Sequence, residues 1–232
     1  MLKKLKQRVL EANLALVSHQ LVVFTWGNAS ERDPETGYIV IKPSGLPYDQ
    51  MRAELMVVLD PEGKQVEGDL KPSSDAPTHL ELYRNFPGIN GLVHTHSPWA
   101  TSWAQAGKSI PVYGTTHADY FYGAIPCSRS LTQEEVEDDY EHNTGKVIVE
   151  TFKQLDCLSL PGVLIHGHGP FTWGKDSHEA VHHSVVLEEV AKMAFRTELL
   201  GNKKPLEQYL LDKHYQRKHG KDAYYGQDNK NL

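Results

Sequence analysis

Two histidine pairs carry the clearest chemical pattern in this chain. His94 and His96 follow the apolar run Gly-Leu-Val, and His166 and His168 follow Gly-Val-Leu-Ile. Residues two apart on a β-strand point to the same face, so each pair is predicted to present two imidazoles at a strand end. Neutral imidazole is the commonest protein ligand for metal ions. Both pairs together predict a metal site, whereas either pair alone could simply cap a strand through hydrogen bonds.

An acidic residue completes the candidate ligand set. Three imidazoles and one carboxylate, from His94, His96, His168 and Asp75, form a plausible set of nitrogen and oxygen ligands for zinc, and other divalent ions suit the same ligands. His166 stays a rival of His168, because either could bind the ion while the other orients it. For Asp75, within Ser-Ser-Asp, the alternative is an Asx turn or a helix N-cap.

Two further residues are candidates for proton transfer. Asp119 lies in Thr-Thr-His-Ala-Asp-Tyr, a segment rich in titratable and hydrogen-bonding groups, and could act as a general acid or base. The alternative is a turn carboxylate whose hydrogen bonds are satisfied. Tyr225 is an aromatic residue in a polar C-terminal tail. It means little if that tail is disordered, as chain ends usually are.

Three separate loops have the composition of an anion site. Their hydroxyls and backbone N–H groups supply donors for a phosphate, and a lysine supplies positive charge. Each loop alone is weak evidence, because serine and glycine occur in many turns. The candidate residues are Asn28, Lys42, Ser44, Gly45, Ser73 and Ser74.

The bulk composition bounds the class of protein. The chain has 232 residues, a formal net charge of -6 and a mean hydropathy of -0.50, which argue against a nucleic-acid partner and fit a water-soluble domain. No apolar run is long enough for a membrane span, and no signal-peptide pattern opens the chain. Two cysteines fit a reducing compartment. We therefore expect a cytoplasmic protein with no membrane partner.

Apolar periodicity and turn residues predict an α/β domain in three layers. The predicted strands cover 38–42, 56–60, 92–96 and 163–168, and 25–30 is predicted as a polar loop. The predicted helices cover 2–16, 77–86, 98–106 and 177–200, with a short helix after the capping box Thr132–Glu135 and a last helix from Pro205 to Gly220.

Seven sequence blocks resemble the class II aldolase/adducin-like family, and within it the enzymes that epimerise ketopentose phosphates. They are Thr-Trp-Gly-Asn-Ala-Ser (25–30), Ile-Lys-Pro-Ser-Gly (41–45), Lys-Pro-Ser-Ser-Asp (71–75), His-Thr-His-Ser (94–97), Gly-Thr-Thr-His-Ala-Asp-Tyr (114–120), His-Gly-Pro-Phe-Thr-Trp-Gly (168–174) and Lys-His-Gly-Lys-Asp-Ala-Tyr-Tyr-Gly-Gln (218–227). Because the blocks occur in order, the resemblance covers almost the whole chain.

This resemblance implies a fold, a reaction and an assembly. The fold would be a single three-layer α/β/α domain, residues 1–232, with a central, mostly antiparallel sheet. The reaction would interconvert L-ribulose 5-phosphate and D-xylulose 5-phosphate with one zinc ion per subunit. It would proceed by cleavage of C3–C4, rotation of glycolaldehyde phosphate and re-addition. The assembly would be a homotetramer with active sites between subunits.

The resemblance also assigns roles to residues. Asp119 and Tyr225 would transfer protons, with Tyr225 in a tail (221–232) that reaches a neighbouring subunit. The other implied residues are the metal ligands Asp75, His94, His96 and His168, the phosphate-binding residues Asn28, Lys42, Ser44, Gly45, Ser73 and Ser74, and the supporting residues Thr115, Glu141 and His214.

Two other functions stay open at this point. Related aldolases have Pro-Ser-Ser-Glu, with glutamate as the base, where this chain has Asp75, so the aspartate favours the epimerases. A non-catalytic, adducin-like interaction module would have lost the metal ligands that this chain retains. The pathway, whether for L-arabinose, L-ascorbate or another pentose, is not decided by these residues.

Overall fold

The secondary structure is taken from a computed structural model that describes residues 2–201 and 204–224. Its strands are β1 (Asn28–Arg32), β2 (Ile39–Ile41), β3 (Val57–Leu59), β4 (Gln65–Glu67), β5 (Gly91–His94), β6 (Gly162–Leu164) and β7 (Pro170–Gly174). Its helices are α1 (Lys3–Ser18), α2 (Ala76–Asn85), α3 (Pro98–Gln105), α4 (Thr115–Ala118), α5 (Gln133–Thr151), α6 (Ser177–Leu200) and α7 (Gln208–His219).

All seven strands join one sheet in the order β4-β3-β2-β1-β5-β7-β6, and each pair of neighbours is antiparallel. Both faces are covered, as β2 illustrates. Ile39 and Ile41 pack in the same cluster as Leu80 of α2, whereas Val40 between them packs with Leu5 and Val9 of α1. The predicted α/β fold with a central antiparallel sheet is therefore confirmed.

Helix α6 is the element that the sequence predicted most accurately. It covers Ser177–Leu200, and the predicted stripe of Val181, Leu187, Val190 and Ala194 is buried. Asp176 caps its first turn by accepting a hydrogen bond from the backbone N–H of Glu179. None of the described helices combines the length and the apolar composition that crossing a membrane requires.

The loop predicted at 25–30 is wrong from Asn28 onward, because β1 begins there. Strand β1 lies between β2 and β5, with Asn28 opposite His94 and Ser30 opposite Leu92. Polar side chains of β1 find partners inside the protein; for example, Ser30 Oγ lies 2.7 Å from His79 Nδ1. A polar strand with buried partners has no alternating apolar pattern, so periodicity does not predict it.

Three other element predictions need correction. Strand β6 ends at Leu164, and residues 166–168 form a turn in which Gly167 has φ 75°, so His166 and His168 do not share a strand face. The helix after Thr132 has the predicted capping box but is long, at 19 residues. The last helix begins at Gln208 and not at Pro205, and it ends before Gly220 as predicted.

Candidate metal centre and active site

Three imidazoles converge at one end of the central strands. His94 ends β5, His96 follows two residues later, and His168 lies in the turn between β6 and β7. One ring nitrogen of each lies within 4.8 Å of the others, and the Nε2 atoms of His94 and His96 are 3.1 Å apart. Two nitrogen ligands of a tetrahedral zinc ion are roughly 3.3 Å apart, given a Zn–N length of about 2.0–2.1 Å. The three imidazoles therefore fit a divalent ion.

Hydrogen bonds orient two of the rings. His94 Nδ1 lies 3.0 Å from the carbonyl oxygen of Pro170. Because a carbonyl only accepts, this nitrogen carries the proton and Nε2 keeps its lone pair. His168 Nδ1 lies 3.1 Å from Tyr140 Oη, which leaves Nε2 of His168 available as a ligand. Such partners on the non-ligating nitrogen are usual for histidines that bind metals.

The environment also keeps imidazoles of this group neutral, which is the protonation state that a ligand needs. Burial, together with the nearby His94 and His96, lowers the pKa of His168 to about 3, although Asp75 opposes this shift. Burial and His94 likewise lower the pKa of His96. At neutral pH both rings therefore have free lone pairs.

Asp75 immediately precedes α2, but its carboxylate makes no capping hydrogen bond, so the N-cap alternative is not supported. Instead, Asp75 Oδ2 accepts a hydrogen bond of 2.7 Å from Asn28 Nδ2. Burial raises the pKa of Asp75, but the charges of His94 and His79 and this hydrogen bond outweigh burial and lower it overall. Asp75 is therefore ionised at neutral pH and adds negative charge beside the imidazoles.

The imidazoles line a cavity of about 650 Å³, which we call the histidine cavity. It brings together all the predicted metal ligands, all the predicted phosphate-binding residues and the predicted supporting residue Glu141. Four lining residues were not predicted from the sequence. Those four are Thr25, Trp26, Gly27 and Tyr140.

Lys42 supplies positive charge to the histidine cavity. It is only 2% exposed, and its Nζ lies 3.3 Å from the Pro43 carbonyl oxygen and 5.1 Å from the centre of the Tyr48 ring. Burial lowers the pKa of Lys42 to about 8, although Asp75 opposes this. Such a buried ammonium, with no carboxylate bonded to it among the described residues, favours an anionic ligand.

Backbone pairing brings two of the predicted phosphate loops together. The N–H of Ser73 donates to the Lys42 carbonyl, and the N–H of Ser44 donates to the Lys71 carbonyl, both at 2.9 Å. Gly45 has φ 63°, a conformation that glycine adopts without strain. Ser44, Gly45, Ser73 and Ser74, which the sequence predicted from separate segments, thus line the same cavity.

His166 is not part of the imidazole group. It is exposed, and its Nδ1 lies 2.5 Å from Ser130 Oγ. The left-handed conformation of Gly167 turns the chain between the two histidines. Of the second pair, His168 and not His166 lies with His94 and His96.

Asp119 lies in a second group, which we call the Asp119 cluster. Its carboxylate accepts hydrogen bonds from His214 Nδ1 at 3.0 Å and Arg217 Nη2 at 2.7 Å, and lies 3.8 Å from Lys218 Nζ. Burial raises the pKa of Asp119, but hydrogen bonds from Arg217 and His214 outweigh burial and lower it. Thr115 lies one helical turn before Asp119, and its carbonyl accepts a hydrogen bond from the Asp119 N–H.

The histidine cavity and the Asp119 cluster are separate within one chain. Asp119, Thr115 and His214 do not line the histidine cavity. Tyr225, the other predicted proton carrier, lies outside the described residues.

Tyr140 was missed because its position depends on a kink. Helix α5 is interrupted at Asp139, which has φ -142° and ψ 82°, directly before Tyr140. A regular helix beginning after Thr132, which is what the sequence predicts, does not indicate that the Tyr140 ring lies against His168. The nearest indication in the sequence was the neighbouring Glu141, which the resemblance had assigned to the site.

Comparison with known proteins identifies the family. Residues 7–195 match the domain described as the Class II Aldolase and Adducin N-terminal domain. The chain belongs to this family. Class II aldolases typically depend on a divalent metal ion, and the three imidazoles give this member nitrogen ligands for one.

Solved structures with the same fold cover nearly the whole chain. An L-fuculose 1-phosphate aldolase is 24% identical with a TM-score of 0.79, covering 92% of this chain and 95% of its own. YgbL from Klebsiella pneumoniae, a putative aldolase/epimerase/decarboxylase, is 22% identical with a TM-score of 0.72, covering 90% and 97%. A sugar-phosphate aldolase from Thermotoga maritima is 20% identical with a TM-score of 0.65, covering 88% and 98%. At these identities the likeness establishes the fold.

Proposed function

We propose that this protein is a metal-dependent epimerase that interconverts L-ribulose 5-phosphate and D-xylulose 5-phosphate. The observation that carries the proposal is the histidine cavity itself. Its lining combines a group of three imidazoles with Asp75, Lys42 and the hydroxyls of Ser44, Ser73 and Ser74. A cation site beside an anion site suits a phosphorylated sugar whose carbonyl must be polarised.

The reaction requires a carbon–carbon bond to break. The C4 hydrogen of a ketopentose is not next to the carbonyl, so direct deprotonation at C4 is unfavourable. Cleavage of C3–C4 gives the enediolate of dihydroxyacetone and glycolaldehyde phosphate, and re-addition through the other aldehyde face inverts C4. A divalent ion held by Asp75, His94, His96 and His168 would act as a Lewis acid for this chemistry. Zinc is our choice of ion, because the ligands are nitrogen and oxygen atoms.

The phosphate loops have a separate task in this proposal. Lys42, Ser44 and Ser73, with the neighbouring N–H groups, would hold the phosphate of the aldehyde fragment while the aldehyde rotates. Holding both fragments keeps re-addition effectively intramolecular, which removes much of its entropic cost. Asn28 would orient a metal ligand and a phosphate-binding residue together, because its Nδ2 donates hydrogen bonds to both Asp75 and Ser73.

Inversion also needs a proton carrier on each face of the aldehyde, and we assign this role to Asp119 and Tyr225. Asp119 is ionised at neutral pH because of its cationic neighbours, so it can accept a proton. Because the Asp119 cluster does not line its own chain's histidine cavity, we propose a homotetramer in which it completes a neighbouring subunit's cavity, with Thr115 and His214 in support. The tail (221–232) that carries Tyr225 would reach the same site.

Asp75 supports epimerisation over net aldol cleavage. In related aldolases a glutamate at this point of the sequence motif is the base. The lowered pKa of Asp75 keeps its carboxylate ionised at neutral pH, which is the protonation state that a metal ligand needs. The protein has two free cysteines, Cys127 and Cys157, and these support our proposal of a cytoplasmic location.

A class II aldolase is the second candidate, because an L-fuculose 1-phosphate aldolase shares this fold over nearly all of the chain. The test is one pair of assays on the full chain reconstituted with zinc. We expect D-xylulose 5-phosphate from L-ribulose 5-phosphate, and little dihydroxyacetone phosphate from L-fuculose 1-phosphate. The reverse preference would establish the aldolase. Failure to bind zinc and to turn over either sugar would favour the adducin-like module.

A further inference from the structure

Trp26 presents a large aromatic ring at the mouth of the histidine cavity. The residue is 53% exposed, although its ring centre lies only 6.3 Å from that of His96, at an interplanar angle of 48°. No hydrogen bond among the described residues involves its indole N–H. An exposed indole beside the imidazole group is therefore available to a bound molecule both as an apolar surface and as a donor.

The backbone that carries this ring is firmly held. The hydroxyl of Tyr48, a residue only 7% exposed, lies 3.0 Å from the carbonyl oxygens of both Trp26 and Gly27. The N–H of Trp26 donates to the carbonyl of Val23 at 3.0 Å. The loop is thus fixed immediately before and after the ring, so the ring has a defined position at the cavity mouth.

Gly27 allows the loop to pack closely against the end of β5. It has φ 78°, and a Cβ atom there would lie 2.7 Å from the His94 carbonyl oxygen. The loop backbone therefore packs directly against the strand that ends in His94. Trp26 is thus held close to His94 through Gly27. The next residue, Asn28, bonds to Asp75.

We propose that Trp26 is a specificity-determining residue that retains the phosphorylated aldehyde during epimerisation. This inference rests on the proposed function and names the residue that would favour re-addition over release. An aldolase must let its aldehyde leave, whereas an epimerase must hold it while it rotates. The histidine cavity, at about 650 Å³, is large for a pentose phosphate, so retention requires a wall at its mouth.

The bond changes show why retention decides the product. When C3–C4 breaks, the C4 hydroxyl loses its proton to a base and the bonding electron pair moves into the enediolate. Re-addition uses the same electron pair to rebuild C3–C4 and returns a proton to the C4 oxygen. If the aldehyde escapes between the two steps, the products are free dihydroxyacetone and glycolaldehyde phosphate, and no epimer forms.

The neighbouring Phe24 provides a matched control. It is 79% exposed and packs edge-on to Trp26 at 5.8 Å between ring centres. Unlike Trp26, Phe24 does not line the histidine cavity. Replacing it removes an exposed aromatic ring from the same loop without removing the proposed wall.

The experiment compares wild type, Trp26→Ala, Trp26→Phe and Phe24→Ala, each loaded with zinc and given L-ribulose 5-phosphate. Released glycolaldehyde phosphate is trapped with a hydrazine, and its amount is divided by that of D-xylulose 5-phosphate. We expect Trp26→Ala to raise this ratio by about three- to tenfold, the range that loss of an aromatic contact allows. Trp26→Phe should restore much of the wild-type ratio, and Phe24→Ala should leave it unchanged.

Zinc affinity, measured by competition with a chelator, separates retention from an effect on His96. A ratio that is unchanged in Trp26→Ala, or that rises only together with weakened zinc binding, would overturn the inference while leaving the proposed function intact. A wild-type enzyme that forms no D-xylulose 5-phosphate would refute the proposed function, and this inference with it.

Discussion

The histidine cavity and the Asp119 cluster differ in how far their polar groups are satisfied within one chain. In the cavity, the side-chain oxygen of Asn28 is buried without a partner among the described residues, and the buried ammonium of Lys42 contacts a carbonyl and the Tyr48 ring but no carboxylate among those residues. In the cluster, the single carboxylate of Asp119 has His214, Arg217 and Lys218 around it.

This difference indicates two distinct tasks. Unsatisfied buried groups cost free energy unless a ligand pairs with them, so the cavity is organised for both a cation and an anion. In the Asp119 cluster the carboxylate already has cationic partners, and their hydrogen bonds hold it in one orientation. In the proposed tetramer, this carboxylate would serve a neighbouring subunit's cavity.

Removing an imidazole from the cavity should have the largest effect. We expect the His94→Ala variant to lose its zinc. Its kcat/KM should fall at least about 10³-fold, because Lewis-acid stabilisation contributes several kcal/mol. Metal analysis of the purified variant and the epimerase assay check this together. Full activity in a zinc-free His94→Ala protein would contradict the assignment of the metal centre.

Changing the Asp119 cluster should reduce the rate without reducing metal content. Asp119→Asn keeps the size of the side chain but removes its basic oxygen, so we expect kcat to fall about 10²–10⁴-fold, the usual contribution of general acid–base catalysis. Zinc content should stay at one ion per chain. Because Asp119 also anchors α7, the thermal midpoint of the variant must be compared with wild type. An unchanged kcat would remove Asp119 from the mechanism.

A smaller effect should follow from Tyr140→Phe, which deletes only the hydroxyl that contacts His168. Loss of a partner that orients a metal ligand typically weakens metal binding about 10–100-fold. Competition with a zinc chelator measures the effect. Thr144→Ala is a control, because this hydroxyl bonds to the Tyr140 carbonyl and not to a ligand.

The charge of Lys42 should make substrate capture sensitive to alkaline pH. Its pKa is lowered to about 8, so the free enzyme loses this positive charge as the pH rises through 8. We expect kcat/KM for L-ribulose 5-phosphate to fall about tenfold between pH 7 and 9, as one-proton titration requires. Lys42→Met should have a low kcat/KM without this fall. A wild-type profile that is flat over this range would show that Lys42 does not bind the phosphate as a cation.

His166→Ala should have the smallest effect, because the ring is exposed and bonded to Ser130. We expect less than about a twofold change in kcat/KM and unchanged zinc content, as is usual for surface substitutions. This variant is the matched control for His94→Ala, since each removes one imidazole. Loss of zinc from His166→Ala would return it to the ligand set.

The sequence predicted what depends on short-range patterns. The stripe of α6 and the capping box at Thr132 follow from spacings of three or four residues, and both are present. The metal-site residues came from spacing and residue type together with the family resemblance. Spacing and residue type select His94 and His96 but do not choose between His166 and His168, because the positive φ of Gly167 sets the direction of the turn between them. The resemblance named His168.

What the sequence missed depends on partners far along the chain. Strand β1 has a polar sequence, and its burial became evident only once Ser30 was found against His79 and Asn28 against Asp75. No proline or glycine at Asp139 or Tyr140 predicts the kink in α5. The separation of Asp119 from the imidazoles is a property of how the elements pack, which no local pattern encodes.

The register between β1 and β5 has a thermodynamic consequence. Asn28 is paired directly with His94, and the Asn28 side chain also bonds to Asp75. An anion and a cation in this cavity would therefore rigidify the same backbone pair, and each would reduce the ordering cost left for the other. We expect positive cooperativity, and by reciprocity the factor by which zinc tightens phosphate binding must equal the factor by which phosphate tightens zinc.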